Sequence, residues 1–531
     1  MRGKLPARPR ELPLGQHHQV LNQAKIERVG ELNALYLGGT PYEMGYQHGV
    51  LARDIIQAFR RDAYAYTATI VPMPRWLSQP ALFYYAADYW KTIPEEYRQE
   101  LQGIADGAGA HPIETLVATC FWEMLLMAGC SEFAAISPYT PDGELIHGYN
   151  YDLMRPEHAL IQPYLAAIFY RPSQGVPFVT VNTLGSVGAN AGINAEGISV
   201  AWDNTGLKDK QLFAGIPSPV VPFIVTLRRL LQYSHSIDEA IKIVTRTLPR
   251  NLADIIIIGS AREAKAVALE TAGRRFAVRP MQDGAIWSTN CFRSAELASY
   301  DRLGDWREAP EIEHWKLFPR FMAYEQLFNQ YKGKLDAQAA VNFLRDPYPR
   351  EKQGFLYPNI VPRATICRDI TSFSMVMQPG KSRLWVADTQ VPSPQNAFYA
   401  FDLNGWCRLP ELDLPGNGYQ HTLACAKHFL RENLSAAQAD LEQATQIDGE
   451  SAILTLMQAL LYGRSGDEQK ARQVLERVKS RWGETPIGKL ASDWLGSTVM
   501  GDDLAIPFPS AIKLLFFLIM GNKWVERVGL L

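Results

Sequence analysis

The chain has 531 residues, 47% hydrophobic and 20% charged, a balance that excludes wholesale disorder and allows one large domain beside a small one. Fifty-three Lys and Arg against 55 Asp and Glu leave a net charge of −2, so there is no global basic field to hold a nucleic acid. Six cysteines, at 120, 130, 291, 367, 407 and 425, are too few for a disulfide scaffold and form no CxxC pair, so no metal site is expected.

In chain order, Met1 to His18 is polar and basic with no apolar stretch of a signal peptide, and residues 1–34 are expected to form an extended lead. Gly38-Gly39-Thr40-Pro41 then predicts a turn that opens a helix through Leu51 and Ile55. Residues 35–129 are expected to be mainly helical, and Ile113 to Met127, apolar nearly all round, to be buried. After Gly129 the period changes from helix to strand. Phe133–Ser137 and Glu144–Asp152 are expected to pair across an Asp142-Gly143 turn. Further strands are expected at 165–170, 178–184, 192–203, 254–259, 265–270, 275–279, 371–378 and 383–388. Helices are expected at 221–233 and after the capping residues Ser236 to Glu239. Strand runs set between helical blocks predict an α+β fold with antiparallel sheets.

Residues 420–490 are rich in Ala, Leu, Gln and Glu. Ala437-x-x-x-Leu441 recurs as Ala471-x-x-x-Leu475. The stretch resembles two tetratricopeptide-type helix pairs, a small all-α appendage expected to lean on the main domain and to offer a surface to a protein partner. Residues 491–531 form a helical tail in this reading. Its apolar part, Ala505 to Met520, is interrupted by Pro507, Pro509 and Lys513. It reads as a packed helix or as a weak membrane contact at the C-terminus. With no signal peptide and no spanning helix read, the expected location is cytoplasmic. No GxGxxG, P-loop, HExxH or GxSxG is present, so no cofactor is expected and the serine-elbow and zincin chemistries are excluded.

The hairpin around Asp142-Gly143 places Cys130 opposite the Asn150–Asp152 segment. A thiol, an amide and a carboxylate therefore share one neighbourhood. Gly129-Cys130-Ser131-x-Phe133-Ala134, Gly148-Tyr149-Asn150-Tyr151-Asp152 and Gly192-Ile193-Asn194-Ala195-Glu196-Gly197-Ile198-Ser199-Val200 together resemble the cysteine-type N-terminal nucleophile hydrolases. The likeness is to the penicillin (isopenicillin-N) acyltransferase family, with bile-salt hydrolases more distant, and covers roughly 35–400.

The resemblance implies a four-layer αββα core (130–415) preceded by a pro-segment (35–129). It also implies a precursor that cuts itself between Gly129 and Cys130. The new amino terminus would supply nucleophile and base on one residue, because an α-amine titrates near ~7.7–8.0. By the same resemblance Asp152 positions the terminal Cys, with Asn150, Tyr149 and Asp203 beside it. Asn204 is the oxyanion donor, with Asp203 in the neighbouring register. Asn251 and Asp254 compete for the family's later asparagine, and Arg302 matches its late arginine. Tyr149 stands where bile-salt hydrolases carry an arginine, and Asn290-Cys291 where the family often has Asn-His. The substrate implied is a small acyl amide, hydrolysed or transferred through a thioester on Cys130. The alternative is an inactive scaffold of this fold that binds a partner through its C-terminal repeats. A third reading keeps the thiol uncut and uses His48 or His147 as base.

Overall fold

Alternating strand residues on either side of Asp142-Gly143 fold back on each other as β3 (Ser131–Ala135) and β4 (Ile146–Asp152). Gly143 takes a φ of 74° at the turn, a left-handed conformation that suits glycine. The register pairs Ser131 with Asn150 and Ala135 with Ile146. The computed structural model describes residues 19–22, 24–70, 74–124, 129–153, 160–208, 210–216, 219–301, 318–346, 366–368, 370–483 and 486–497.

Two sheets carry the larger unit. One has seven strands in the order β12-β3-β4-β13-β14-β15-β16 and the other nine in the order β1-β2-β5-β6-β7-β8-β9-β10-β11. In the first, β12 (Ala285–Ser288) and β13 (Thr371–Gln378) flank the β3–β4 hairpin. β14 (Arg383–Ala387), β15 (Phe398–Asp402) and β16 (Cys407–Arg408) extend it. In the second, β1 (Lys25–Val29), β2 (Leu32–Gly39) and β5 (Leu165–Pro172) lead to β6 (Phe178–Thr183), β7 (Ala191–Asn194) and β8 (Ile198–Asn204). β9 (Ala253–Ser260), β10 (Lys265–Ala272) and β11 (Arg275–Pro280) complete it. Neighbours run antiparallel except β2 and β5, which are parallel.

The apolar faces of the two sheets meet. Ala134, Leu145 and Ile286 of one pack with Ile255, Ile257 and Ala268 of the other. Helices cover the outer faces. The nine-stranded sheet is flanked by α1 (Pro41–Leu51), α2 (Arg53–Ile70), α3 (Arg75–Tyr89), α4 (Glu95–Ala108) and α5 (Pro112–Met124). α6 (Phe223–Tyr233) and α7 (Ile237–Arg246) lie on β7 to β10. On the seven-stranded sheet, α8 (Phe318–Gln330) lies on β12, and α9 (Ala337–Leu344) on β4 and β13. The fold is thus α+β, with four layers in the order αββα.

The residues 1–34, read as an extended lead, include more structure than that. Residues 25–29 form β1, and β2 begins at Leu32. Lys25, Glu27 and Arg28 mask the strand pattern in the sequence, and the partner that orders it is the buried β2. The turn before α1 forms as the sequence predicts: Thr40 and Glu43 close a capping box on one another. α1 and α4 cross at glycines on both helices. A Cβ on Gly45 would lie 2.0 Å from the Glu100 carbonyl oxygen, and one on Gly103 2.2 Å from that of Tyr42, so any larger residue forces the helices apart.

The smaller unit contains α10 (Tyr419–Leu430), α11 (Leu434–Asp448), α12 (Ala452–Arg464), α13 (Glu468–Trp482) and α14 (Pro486–Ser497). Asn433, Ser451 and Asp467 cap three of them with side-chain oxygens. The repeated Ala437, Leu441, Ala471 and Leu475 are all buried. No helix among the described residues is long and apolar enough to cross a membrane. The apolar stretch 505–520 lies outside the described residues.

Candidate active site

Cys130 immediately precedes β3, wholly buried. The Gly129 N–H donates to the Asp152 carbonyl at 3.0 Å, which extends the hairpin ladder one step past the strand and holds the 129–130 peptide against β4. Asp152 ends β4. Its Oδ1 accepts from the Thr371 hydroxyl at 2.6 Å, and its Oδ2 lies 3.4 Å from a guanidinium nitrogen of Arg320.

Arg320 is the central finding. It sits in the first turn of α8, fully buried. Nη2 donates to the Cys130 carbonyl at 2.9 Å as well as facing Asp152, and Nη1 donates to Asn290 Oδ1 at 3.0 Å. One planar fork thus ties the nucleophile's backbone, the carboxylate and an amide together, a geometry a lysine cannot reproduce. One turn along α8, the Tyr324 hydroxyl donates to Ser131 Oγ at 3.0 Å.

Asn290 follows β12 with a φ of 65°. Its N–H donates to Asp203 Oδ2 at 3.2 Å and its Nδ2 to the Asn204 carbonyl at 2.8 Å. Asp203 and Asn204 end β8. Asp203 is wholly buried, and burial pushes its carboxyl well up, with the Asn290 N–H pulling the other way. The Asn204 side chain is partly exposed, and no side-chain hydrogen bond occupies it among the described residues. Asn150 is engaged structurally: it donates to the Leu344 carbonyl at 2.9 Å and accepts from the Ser374 hydroxyl at 2.7 Å.

Burial also pushes the Cys130 thiol far up. The Asp152 and Asp203 charges add to this, while an Asp152 backbone hydrogen bond and the Tyr149 phenol oppose it. The buried thiol is therefore neutral and must give up its proton as it attacks.

The later candidates fall as follows. Asp254 is buried on β9, paired with Asn204 of β8 and Thr271 of β10, and Asn251 lies in the turn before that strand. Among the described residues, the asparagine that accepts from Arg320 is Asn290. Arg302 lies outside the described residues. Sequence reasoning missed Arg320, although one signal was present. Arg320, Tyr324 and Phe328 recur at helical spacing in an apolar run, and a charge inside a buried stripe is seldom idle. Cys291 is half-buried, and burial pushes its thiol up to about 12.

Neither histidine of the uncut-thiol reading is placed as a base for Cys130 by its hydrogen bonds. His48 Nε2 accepts from the Gly185 N–H at 2.9 Å. His147 Nδ1 meets Ser199 Oγ at 3.0 Å, and its Nε2 lies 3.7 Å from Glu132 Oε2. Burial lowers His147 to about 3 and raises Glu132 well above the usual carboxyl range, so the pair is neutral rather than ionic. A ring whose folded pKa is lowered contributes stability present above its unfolded value of ~6.5 and lost as pH falls toward the folded value. His147→Gln is thus expected to reduce the drop in urea midpoint between pH 7 and pH 4. An unchanged drop would show that the folded ring takes up its proton as readily as the unfolded one.

Comparison with known proteins adds a family likeness over part of the chain. The model of the acyl-coenzyme A:6-aminopenicillanic acid acyl-transferase family matches residues 140–355; the match does not reach Cys130. An uncharacterized protein of Archaeoglobus fulgidus is 27% identical over 284 residues, 46% of this chain and 45% of that protein. Protein dcd1B of Dictyostelium discoideum is 27% identical over 277 residues, 46% of this chain and 52% of that protein. The chain thus spans about half the length of these curated relatives. Among solved structures, a Caenorhabditis elegans N-acylethanolamine-hydrolyzing acid amidase ortholog aligns at 14% identity and TM-score 0.34, over 47% of this chain and 93% of that one. A conjugated bile acid hydrolase mutant from Clostridium perfringens aligns at 14% and 0.33, over 52% and 93%. Similarities this low carry no residue's role across. Over residues 140–355 the chain is thus similar to the acyl-coenzyme A:6-aminopenicillanic acid acyl-transferase family, on a core of two facing sheets between helical layers.

Proposed function

We propose that the protein is a self-processing amidohydrolase or acyltransferase whose nucleophile is Cys130. The observation that carries this reading is the Arg320 fork, which grips the Cys130 carbonyl at 2.9 Å beside Asp152 in a fully buried setting. A buried arginine is costly unless its partners matter, and here it fixes the backbone of a thiol-bearing residue that a flexible glycine precedes.

In the uncut chain the Cys130 sulfur attacks the Gly129 carbonyl carbon. The S–C bond forms, the C–N bond breaks, and the thiol proton ends on the departing nitrogen. Water then cleaves the thioester, leaving a Gly129 carboxylate and a Cys130 with free thiol and α-amine. That amine titrates near ~7.7–8.0 and serves as base near neutral pH. With an acyl amide bound, it takes the thiol proton and passes it to the leaving amine as the acyl thioester forms. Asn204, whose side-chain amide makes no hydrogen bond among the described residues, donates to the oxyanion. Water completes hydrolysis, and an amine in its place completes acyl transfer; water needs no dedicated site, so hydrolysis is the default.

The intact mass of the purified protein tests this, beside Cys130→Ala, both denatured. Two pieces breaking between Gly129 and Cys130 in the wild type, and one uncut chain in the variant, are expected. One uncut chain in both would overturn self-processing.

A further inference from the structure

The turn after β12 is held in an unusual way. Four of its backbone N–H groups, those of Asn290, Phe292, Arg293 and Ser294, are each taken by a buried side-chain carboxylate. Asp203 takes the first at 3.2 Å and Asp301 the second at 2.8 Å. Glu270, on β10 beside the edge strand of the nine-stranded sheet, takes the last two, each at 3.0 Å, and also accepts from the Ser294 hydroxyl at 2.6 Å. Asp301 is further tied to the residue after β8, accepting from Thr205 Oγ1 at 2.8 Å through the same oxygen. Both Glu270 and Asp301 are buried to within 1%.

Asn290, Phe292 and Ser294 are buried, so protein must satisfy the turn's N–H groups; neutral carbonyls ordinarily do this for a turn, and here carboxylates do. Burying carboxylates to hold one is costly unless the turn's exact placement is required. The residue placed is Asn290. Its left-handed backbone is one that asparagine tolerates and most other side-chain-bearing residues do not. Asn290 Oδ1 in turn receives Arg320 Nη1, and Arg320 holds the Cys130 carbonyl.

We propose that Glu270 and Asp301 are positioning residues for the nucleophile: they lock the 290–294 turn, and through Asn290 they aim the Arg320 fork at Cys130 and Asp152. Neither carboxylate touches the thiol. Their effect on chemistry passes entirely through Asn290. The inference rests on the self-cleavage reading above and adds to it two posts and a route.

The test is the rate of self-cleavage of the full chain, followed by denatured mass from the moment of synthesis. Glu270→Gln and Asp301→Asn are each expected to slow it by about 10- to 100-fold, the range of a misplaced supporting contact. A structural role alone would slow an Asn290→Ala chain by a further, independent factor. A role exerted through Asn290 adds little in that background, so the double variants are expected to cut no more slowly than Asn290→Ala itself. Should Glu270→Gln fail to fold, Ser294→Ala removes only the 2.6 Å hydroxyl contact, and Ser294→Thr is expected to restore the rate. Folded variants that cut at the wild-type rate, or multiplicative slowing in the Asn290→Ala background, would overturn the proposal. The wild type separates the two readings: if it cuts and the variants match it, the posts alone are refuted. If it stays uncut, self-processing is refuted and the posts with it.

Discussion

Arg320→Met is expected to abolish self-cleavage and to lower stability by about 3–5 kcal/mol, the usual penalty for removing one partner of a buried ion pair. The methionine fills similar space, so the loss comes from charge and hydrogen bonds rather than from a cavity. It removes the donor to the Cys130 carbonyl at 2.9 Å, the cation beside Asp152 and the donor to Asn290. Arg320→Lys keeps the charge but not the planar fork, and is expected to lose most of the cleavage rate with a smaller stability deficit. Adding Asp152→Asn to Arg320→Met removes the stranded carboxylate, so part of the stability should return while cleavage does not. Urea midpoints and denatured mass at fixed times read both quantities. Wild-type cleavage in Arg320→Met would show that the fork is only a structural tie.

The second large effect is expected at Arg228→Met. Arg228 of α6 lies over the Tyr170 ring at 3.7 Å and the Phe178 ring at 4.5 Å, with Nη2 3.1 Å from Glu100 Oε2 on α4. Burial raises Glu100 to about 7, and Arg228 is what restrains that rise. An acid whose folded pKa is raised contributes stability that is present below its unfolded value and is lost as pH rises through the folded one. Without Arg228 the folded value climbs further and the loss at alkaline pH deepens. The variant should therefore fall short by about 3–5 kcal/mol at pH 8 and by less at pH 5, where Glu100 is neutral. Urea midpoints at the two pH values measure this, and an equal deficit at both would assign the loss to ring packing instead.

What the sequence revealed of the site follows the distance along the chain. Cys130, Asn150 and Asp152 lie on one hairpin whose turn is announced by Asp142-Gly143, so their neighbourhood could be read from strand register. Ser131 does pair with Asn150. Arg320 reaches Cys130 across 190 residues, and Asn290 arrives from the far side of β12. Their meeting depends on β12 lying beside β3 and on α8 lying on β12, a sheet order that periodicity does not encode. Many strands and helices of the core announced themselves by apolar spacing, but β12, β15, β16, α8 and α9 did not. β1 did not, because three of its five residues are charged and a strand edge tolerates that.

The parallel pairing of β2 with β5 has a consequence for the finished protein. β2 precedes the proposed scissile bond and β5 follows it, yet they are adjacent in one sheet, Asn33 beside Ala166 through Gly39 beside Pro172. Once the bond is cut, this seam joins two separate polymers. Unfolding then releases two molecules, and recovery becomes a second-order encounter governed by mass action. The uncut chain can refold at any dilution, whereas the cut one has its assembly written into an event it cannot repeat. Its persistence is then a matter of how slowly that seam opens, a kinetic property acquired at the moment of cleavage.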